Sequence, residues 1–300
     1  MSRILKVALV QEFNQGDAQA NLTRIEQRVA EAAAGGAKLV LLQELHNGPY
    51  FCQHQSVDEF DRAEPIPGPS TERLSKLAKQ HGVVLVGSLF ERRAAGLAHN
   101  TVVVFDADGR FAGKYRKMHI PDDPGFNEKF YFTPGDLGFT PIDTSVGRLG
   151  VLICWDQWYP EAARLMALAG AELLLYPTAI GWDPRDAQAE KERQRMAWIL
   201  SQRGHAVANG LPVLACNRSG FEASPLADES KAGSPGIQFW GSSFVCGPQG
   251  EILAESPRDA ADVLFCEVDL ARGEAVRRIW PFLRDRRIDA YGELTLRFRD

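Results

Sequence analysis

The sequence predicts an α/β protein: a four-layer αββα sandwich of two mixed sheets with internal pseudo-two-fold symmetry. Two observations carry this. The order strand, helix, strand, helix, strand, hairpin occurs twice along the 300 residues. The predicted strands are also near-continuous apolar runs, the pattern of strands covered on both faces.

In the first half, "KVALVQEF" (6–13) reads as a strand. The segment 17–37 has Leu22, Ile25, Val29 and Ala32 at helical spacing, with glycines at its end. "KLVLLQE" (38–44) is the next strand, and 69–82 is a helix with Ser70 or Thr71 as its cap and Gly82 as its stop. A strand at 83–91 follows, then two strands across 100–117 joined at Asp108-Gly109, a hairpin turn signal. The second half repeats the order: strand 148–156, helix 160–171, strand 172–179, helix 186–210, strand 211–220 and a hairpin across 241–256. Local text agrees, "AGGAKLVLLQE" against "LAGAELLLYPT". Repetition of this kind predicts duplicated halves, and residues 1–300 are expected to form a single domain.

The formal charge of −5 speaks against a nucleic-acid partner, which needs a basic stripe. No apolar window reaches the length of a membrane helix, and the N-terminal run is broken by Lys6 and Gln11, unlike a signal peptide. The five cysteines at 52, 154, 216, 246 and 266 are scattered, with no metal-ligand spacing. Free thiols in a reducing cytoplasm, with no metal and no cofactor, are the expectation.

Reactive side chains stand at the ends of predicted strands, where ligands gather in open α/β sheets. Glu44 ends "KLVLLQE": either a solvated or capping carboxylate, or a desolvated general base. Lys117 ends "FAGKYRK", from which the chain turns into apolar residues; an ammonium there is either solvated or aimed at an oxyanion. Cys154 ends "RLGVLI" ahead of a helix opening at Pro160. A buried thiol is ordinarily core, but a helix N-terminus would lower its pKa. Glu128, among Phe126, Phe130, Tyr131 and Phe132, is the polar face of a loop or a placed second acid.

The stretches "LLQELHNGPYF", "YRKMHIPDDPGFNEKFYFTPGD" and "GVLICWDQWYPEAAR" resemble, in order and spacing, the three catalytic segments of the nitrilase, or carbon–nitrogen hydrolase, superfamily. The likeness runs from about Lys6 to Asp269. It implies an αββα sandwich, a Glu–Lys–Cys triad at Glu44, Lys117 and Cys154, an additional glutamate at Glu128, and no metal or organic cofactor. "ELHNGPYFCQ" and "CWDQWYPEAARLMALAGAE" are most similar to the members that act on N-carbamoylputrescine, a small-molecule ureido amine. The resemblance also implies a homo-oligomer, with residues 270–300 as a covering or oligomerisation tail.

On that basis Tyr50, Trp155 and Trp158 are expected to wall the substrate slot, and His119 to line its entrance. The backbone N–H of Trp155 is expected to serve the oxyanion. Asp122, Asp123, Asp156 and Glu128 are candidates for the distal ammonium. Competing readings are an N-carbamoyl-β-alanine hydrolase, an ω-amidase or nitrilase, an acyl transferase, and a silent scaffold that keeps the fold.

Overall fold

The computed structural model describes residues 2–226 and 234–299. Met1 and Asp300, the outermost residues of the expected domain and tail, lie outside the described residues. Fifteen strands and six α-helices are described. In the first half these are β1 (Ile4–Gln11), α1 (Ala18–Ala34), β2 (Leu39–Leu42), α2 (Pro69–His81), β3 (Val84–Ala94), β4 (Leu97–Phe105), β5 (Phe111–Arg116) and the single turn α3 (Glu128–Tyr131). The second half holds β6 (Ile142–Thr144), β7 (Gly147–Val151), α4 (Pro160–Leu168), β8 (Leu173–Thr178), β9 (Gly181–Trp182), α5 (Gln188–Asn209) and β10 (Val213–Asn217). Then come β11 (Ser219–Ala223), β12 (Gly236–Trp240), β13 (Phe244–Cys246), β14 (Ile252–Glu255), β15 (Asp262–Asp269) and α6 (Leu270–Ile279).

The duplication is explicit in the sheets. One has the order β15-β1-β2-β3-β4-β5, the other β6-β7-β8-β10-β13-β14 read from the matching edge. In each, three parallel strands (β1, β2, β3 or β7, β8, β10) are followed by an antiparallel pair. In each, an antiparallel strand, β15 or β6, also closes the outer side of the first parallel strand.

Alternation along the strands sorts the layers. Leu9, Leu41, Val86 and Val104 face Leu149, Leu173 and Leu175 of the second sheet in one core. Val10, Val40 and Leu85, the intervening residues, pack under Ile25, Val29, Leu74 and Ala78 of α1 and α2. On the far side α4 lies so close to β7 that a Cβ at Gly150 would stand 3.2 Å from the Met166 Cβ.

Helix ends follow local chemistry. Asp17 caps α1 by accepting from the Ala20 N–H at 2.8 Å. The cap of α2 differs from the expectation: Gly68 is the cap residue, Pro69 takes the first helical position, and Thr71 Oγ1 accepts from the Gly68 N–H. Gly82 and Gly210 end α2 and α5 in the left-handed conformation.

Two features depart from the sequence reading. The run 148–156 is a strand only to Val151, and Cys154–Trp158 forms a single 3-10 turn. A third, three-stranded antiparallel sheet, β11-β12-β9, has no counterpart in the first half. Among the described residues no helix is long and apolar enough to cross a membrane. All five cysteines are free of disulfides.

Candidate active site

The three strand-end residues and Glu128 meet. Glu44 follows β2, Lys117 follows β5, Cys154 follows β7, and Glu128 opens α3. All four are buried, Glu44 and Lys117 completely. The Lys117 ammonium donates to Glu44 Oε1 at 2.7 Å and to Glu128 Oε2 at 2.6 Å. An ammonium has three N–H donors, so one is left for a ligand. Burial by itself would lower the Lys117 pKa, but Glu128 and Glu44 flank it and hold it well above its usual range.

The two carboxylates are held differently: Glu128 by one bond on each oxygen, Glu44 on a single oxygen. Glu44 Oε1 also accepts from Asn100 Nδ2 at 2.7 Å, whereas its Oε2 is buried without a partner. Glu128 Oε1 accepts from the Tyr50 hydroxyl at 2.7 Å. Burial, and then the neighbouring Glu44 charge, push Glu128 up to about 7 against the pull of Lys117.

Cys154 has φ of +39°, a conformation rarely adopted by a residue with a Cβ. Its thiol makes only a 3.9 Å contact with the Ala179 carbonyl. The expected lowering of its pKa is not found. The Pro160 helix begins six residues on, after the 3-10 turn, and burial together with the Glu44 charge pushes the thiol well above its ordinary value.

A cavity of about 500 Å³ reaches Cys154 and Glu128, with Glu44 and Lys117 set behind its lining. Cys154 and Glu128 form its buried end, and Trp155, Trp158, Phe126, Trp182 and Trp240 its walls. Asp123, Asp183 and Asp186 also line it, and among the described residues no lysine or arginine does. Asp183 is occupied by Arg185 at 2.7 Å, whereas Asp186 has only a 3.3 Å bond from Gln194. Among the described residues no group of three His, Cys, Asp or Glu side chains is placed to hold a metal.

Three residues expected at the slot are elsewhere. Tyr50 is fully buried, and its hydroxyl serves Glu128 rather than a ligand. Asp156 is saturated: it accepts from Tyr115 Oη (2.8 Å), the Ile153 N–H (2.9 Å) and the His119 N–H (3.1 Å), and pairs with His119 Nδ1 (2.7 Å). It pins the turn that carries Cys154 and is not free for an ammonium. His119 is spent on that pair and stacks on Tyr159 at 3.7 Å. Sequence reasoning missed Asn100, Trp182, Asp183, Asp186 and Trp240. Asn100 was visible as the polar first residue of "NTVVVF"; the others come from the unpredicted third sheet and the loop before α5.

A buried thiol, a carboxylate with a free oxygen and an ammonium with a free N–H, set at the strand ends of an αββα sandwich, are the parts that nucleophilic hydrolysis uses. The chain belongs to the carbon–nitrogen hydrolase family, whose profile, described as "Carbon-nitrogen hydrolase", matches residues 6–278. It is 47% identical over 277 residues to a protein of Arabidopsis thaliana named N-carbamoylputrescine amidase, covering 92% of this chain and 90% of that one. It is 43% identical over 296 residues to a protein of Francisella tularensis named citrullinase, covering 98% and 99%. A crystal structure of a carbon-nitrogen hydrolase from Helicobacter pylori G27 superposes with a TM-score of 0.95 at 52% identity, covering 99% of this chain and 100% of that one.

Proposed function

We propose that the protein hydrolyses N-carbamoylputrescine to putrescine, carbon dioxide and ammonia through a carbamoyl thioester on Cys154. Glu44 Oε2 takes the thiol proton as the sulfur attacks the ureido carbonyl. The oxyanion meets the third N–H of Lys117 and the backbone N–H of Trp155, which lies in the first turn of a helix and so has no partner inside it. Glu44 returns the proton to the departing ammonia. It then activates the water that cleaves the thioester, releasing a carbamate that decomposes to carbon dioxide and the amine. Glu128 orients Lys117.

The observation that carries the substrate class is the charge of the cavity. A wall of aromatic faces with Asp123, Asp183 and Asp186, and without a cationic side chain among the described residues, suits a flat ureido group, an alkyl chain and a distal ammonium. A substrate ending in a carboxylate would find no partner among these lining residues. The name carried by the Arabidopsis relative supports the same reading. The test is ammonia release from N-carbamoylputrescine, L-citrulline, N-carbamoyl-β-alanine and an ω-amide. Preference for N-carbamoylputrescine is expected, and preference for an acidic ureido substrate overturns the choice.

We propose further that the protein is a cytoplasmic homo-oligomer. Its five unpaired thiols suit a reducing compartment. Leu165 and Leu168 of α4, Leu200 and Val207 of α5, and Trp280 beyond α6 are exposed, an apolar face suited to a second copy. Light scattering in solution tests the assembly.

A further inference from the structure

Beyond the reacting groups, a buried ion pair on the third sheet ends on both supports of Lys117. Arg218 follows β10 and has no solvent exposure; Glu222 lies in β11. Arg218 Nη2 donates to the carbonyls of Glu44 (3.1 Å) and Leu45 (2.7 Å). Its Nη1 donates to the Gly48 carbonyl (3.0 Å) and to Glu222 Oε1 (2.7 Å). The other oxygen of Glu222 accepts from the Tyr50 N–H at 2.8 Å. Tyr50 then donates to Glu128, Glu128 holds Lys117, and Lys117 holds Glu44. The circuit closes on the residue where it began.

We infer that Arg218 and Glu222 are positioning residues for the reaction, fixing the loop 44–50 so that Glu44 and Tyr50 grip Lys117 from both sides through one closed ring of hydrogen bonds. The loop needs such a frame. Leu45 stands at φ of +48°, which a residue with a Cβ holds only when its surroundings dictate it. Its N–H is taken by Ser88 Oγ at 3.2 Å and its carbonyl by Arg218. The guanidinium lies 5.6 Å from the Phe239 ring centre, and Phe239 meets Tyr50 edge-on at 5.7 Å, so the brace is packed as well as bonded. Only a planar fork reaches three carbonyls and a carboxylate together; a lysine at 218 would keep the charge and lose the geometry. Neither residue lines the cavity. Their effect should therefore fall on the chemical step and not on substrate affinity.

The inference rests on the assignment of Glu44, Lys117 and Cys154 made above. Turnover by the wild-type protein tests that assignment separately, and the variants then test only the brace. Arg218→Lys and Glu222→Gln are compared with wild type on N-carbamoylputrescine, below the melting temperature of each. Glu222→Gln is isosteric but replaces one acceptor by a donor, so it must release either Arg218 or the Tyr50 N–H. The expected result is a fall in kcat of roughly 10–100-fold with KM kept within about twofold. Glu222→Gln and Tyr50→Phe should also be non-additive, the double variant losing little more than the worse single one, because both act through Glu128. Folded variants that keep wild-type kcat, or losses that multiply independently, overturn the inference. So does a Glu222→Gln protein that cannot fold, since the pair is then structural.

Discussion

Lys117 Nζ lies 2.7 Å from Glu44 Oε1, while Oε2 of the same carboxylate, buried, meets no donor at all. The ammonium thus splits Glu44 into an anchored oxygen and a working one. A buried acceptor left unpaired is ordinarily costly. Here the same carboxylate is the charge that, after burial, does most to raise the proton affinity of the Cys154 thiol.

Glu44→Gln keeps an acceptor for Lys117 and loses the ability to take a proton. Steady-state ammonia release should fall on the order of 10²–10⁴-fold. The protein should remain folded by circular dichroism, because the shape of the site is preserved. Near-normal turnover would remove Glu44 from the mechanism.

Lys117→Met removes the single cation between Glu44 and Glu128. Loss of an oxyanion donor should cost about 3 kcal/mol of transition-state stabilisation. Two carboxylates left buried and unpaired should also lower folding stability by about 3–5 kcal/mol. The double variant Lys117→Met/Glu128→Gln should recover part of that stability, though not activity, in urea titrations. No recovery would mean that the carboxylates do not depend on Lys117.

Glu128 should make stability pH-dependent. Burial holds it at about 7, above its ordinary 4.5. A carboxyl with a raised folded pKa binds its proton more tightly folded than unfolded. Its contribution is full below about 4.5 and is lost as the pH rises through about 7. Glu128→Gln cannot ionise and lacks this dependence. Between pH 4.5 and 8 the unfolding free energy of wild type should decline relative to the variant by up to roughly 3 kcal/mol. Parallel curves across that range would contradict the assignment.

Asp186→Asn should weaken capture of a cationic tail. A half-exposed charge is worth little, so KM for N-carbamoylputrescine should rise about two- to fivefold with kcat unchanged. Raising the ionic strength should shrink the difference. An unchanged KM in low salt would place the ammonium elsewhere.

Much of this protein was legible in its text because burial imposes periodicity. The repeated apolar runs, the stop at Gly82 and the turn at Asp108-Gly109 are local rules, and the two halves follow them alike. Glu44, Lys117 and Cys154 stand out as candidate reactive groups at strand ends, and the family segments around them group them as one set. What failed were judgements about direction. Tyr50 and Asp156 are polar residues next to the chemistry in sequence, yet both turn inward, one to Glu128 and one to the turn beneath Cys154. Neighbouring text does not say which way a side chain points once Cys154 takes a positive φ.

The sequence by itself determined the layers, the duplication and the identity of the reactive groups, since these depend on spacing along one chain. Only the tertiary structure decided how those groups are charged and braced. Bringing Glu44 and Lys117 from two strand ends against Glu128 at the start of α3 buries all three. The proton affinities of Lys117, Glu128 and Cys154 then depend on the charges around them. The Arg218–Glu222 pair reaches loop 44–50 across more than 160 residues of chain. No local pattern encodes a contact of that separation; it exists because the two sheets pack face to face.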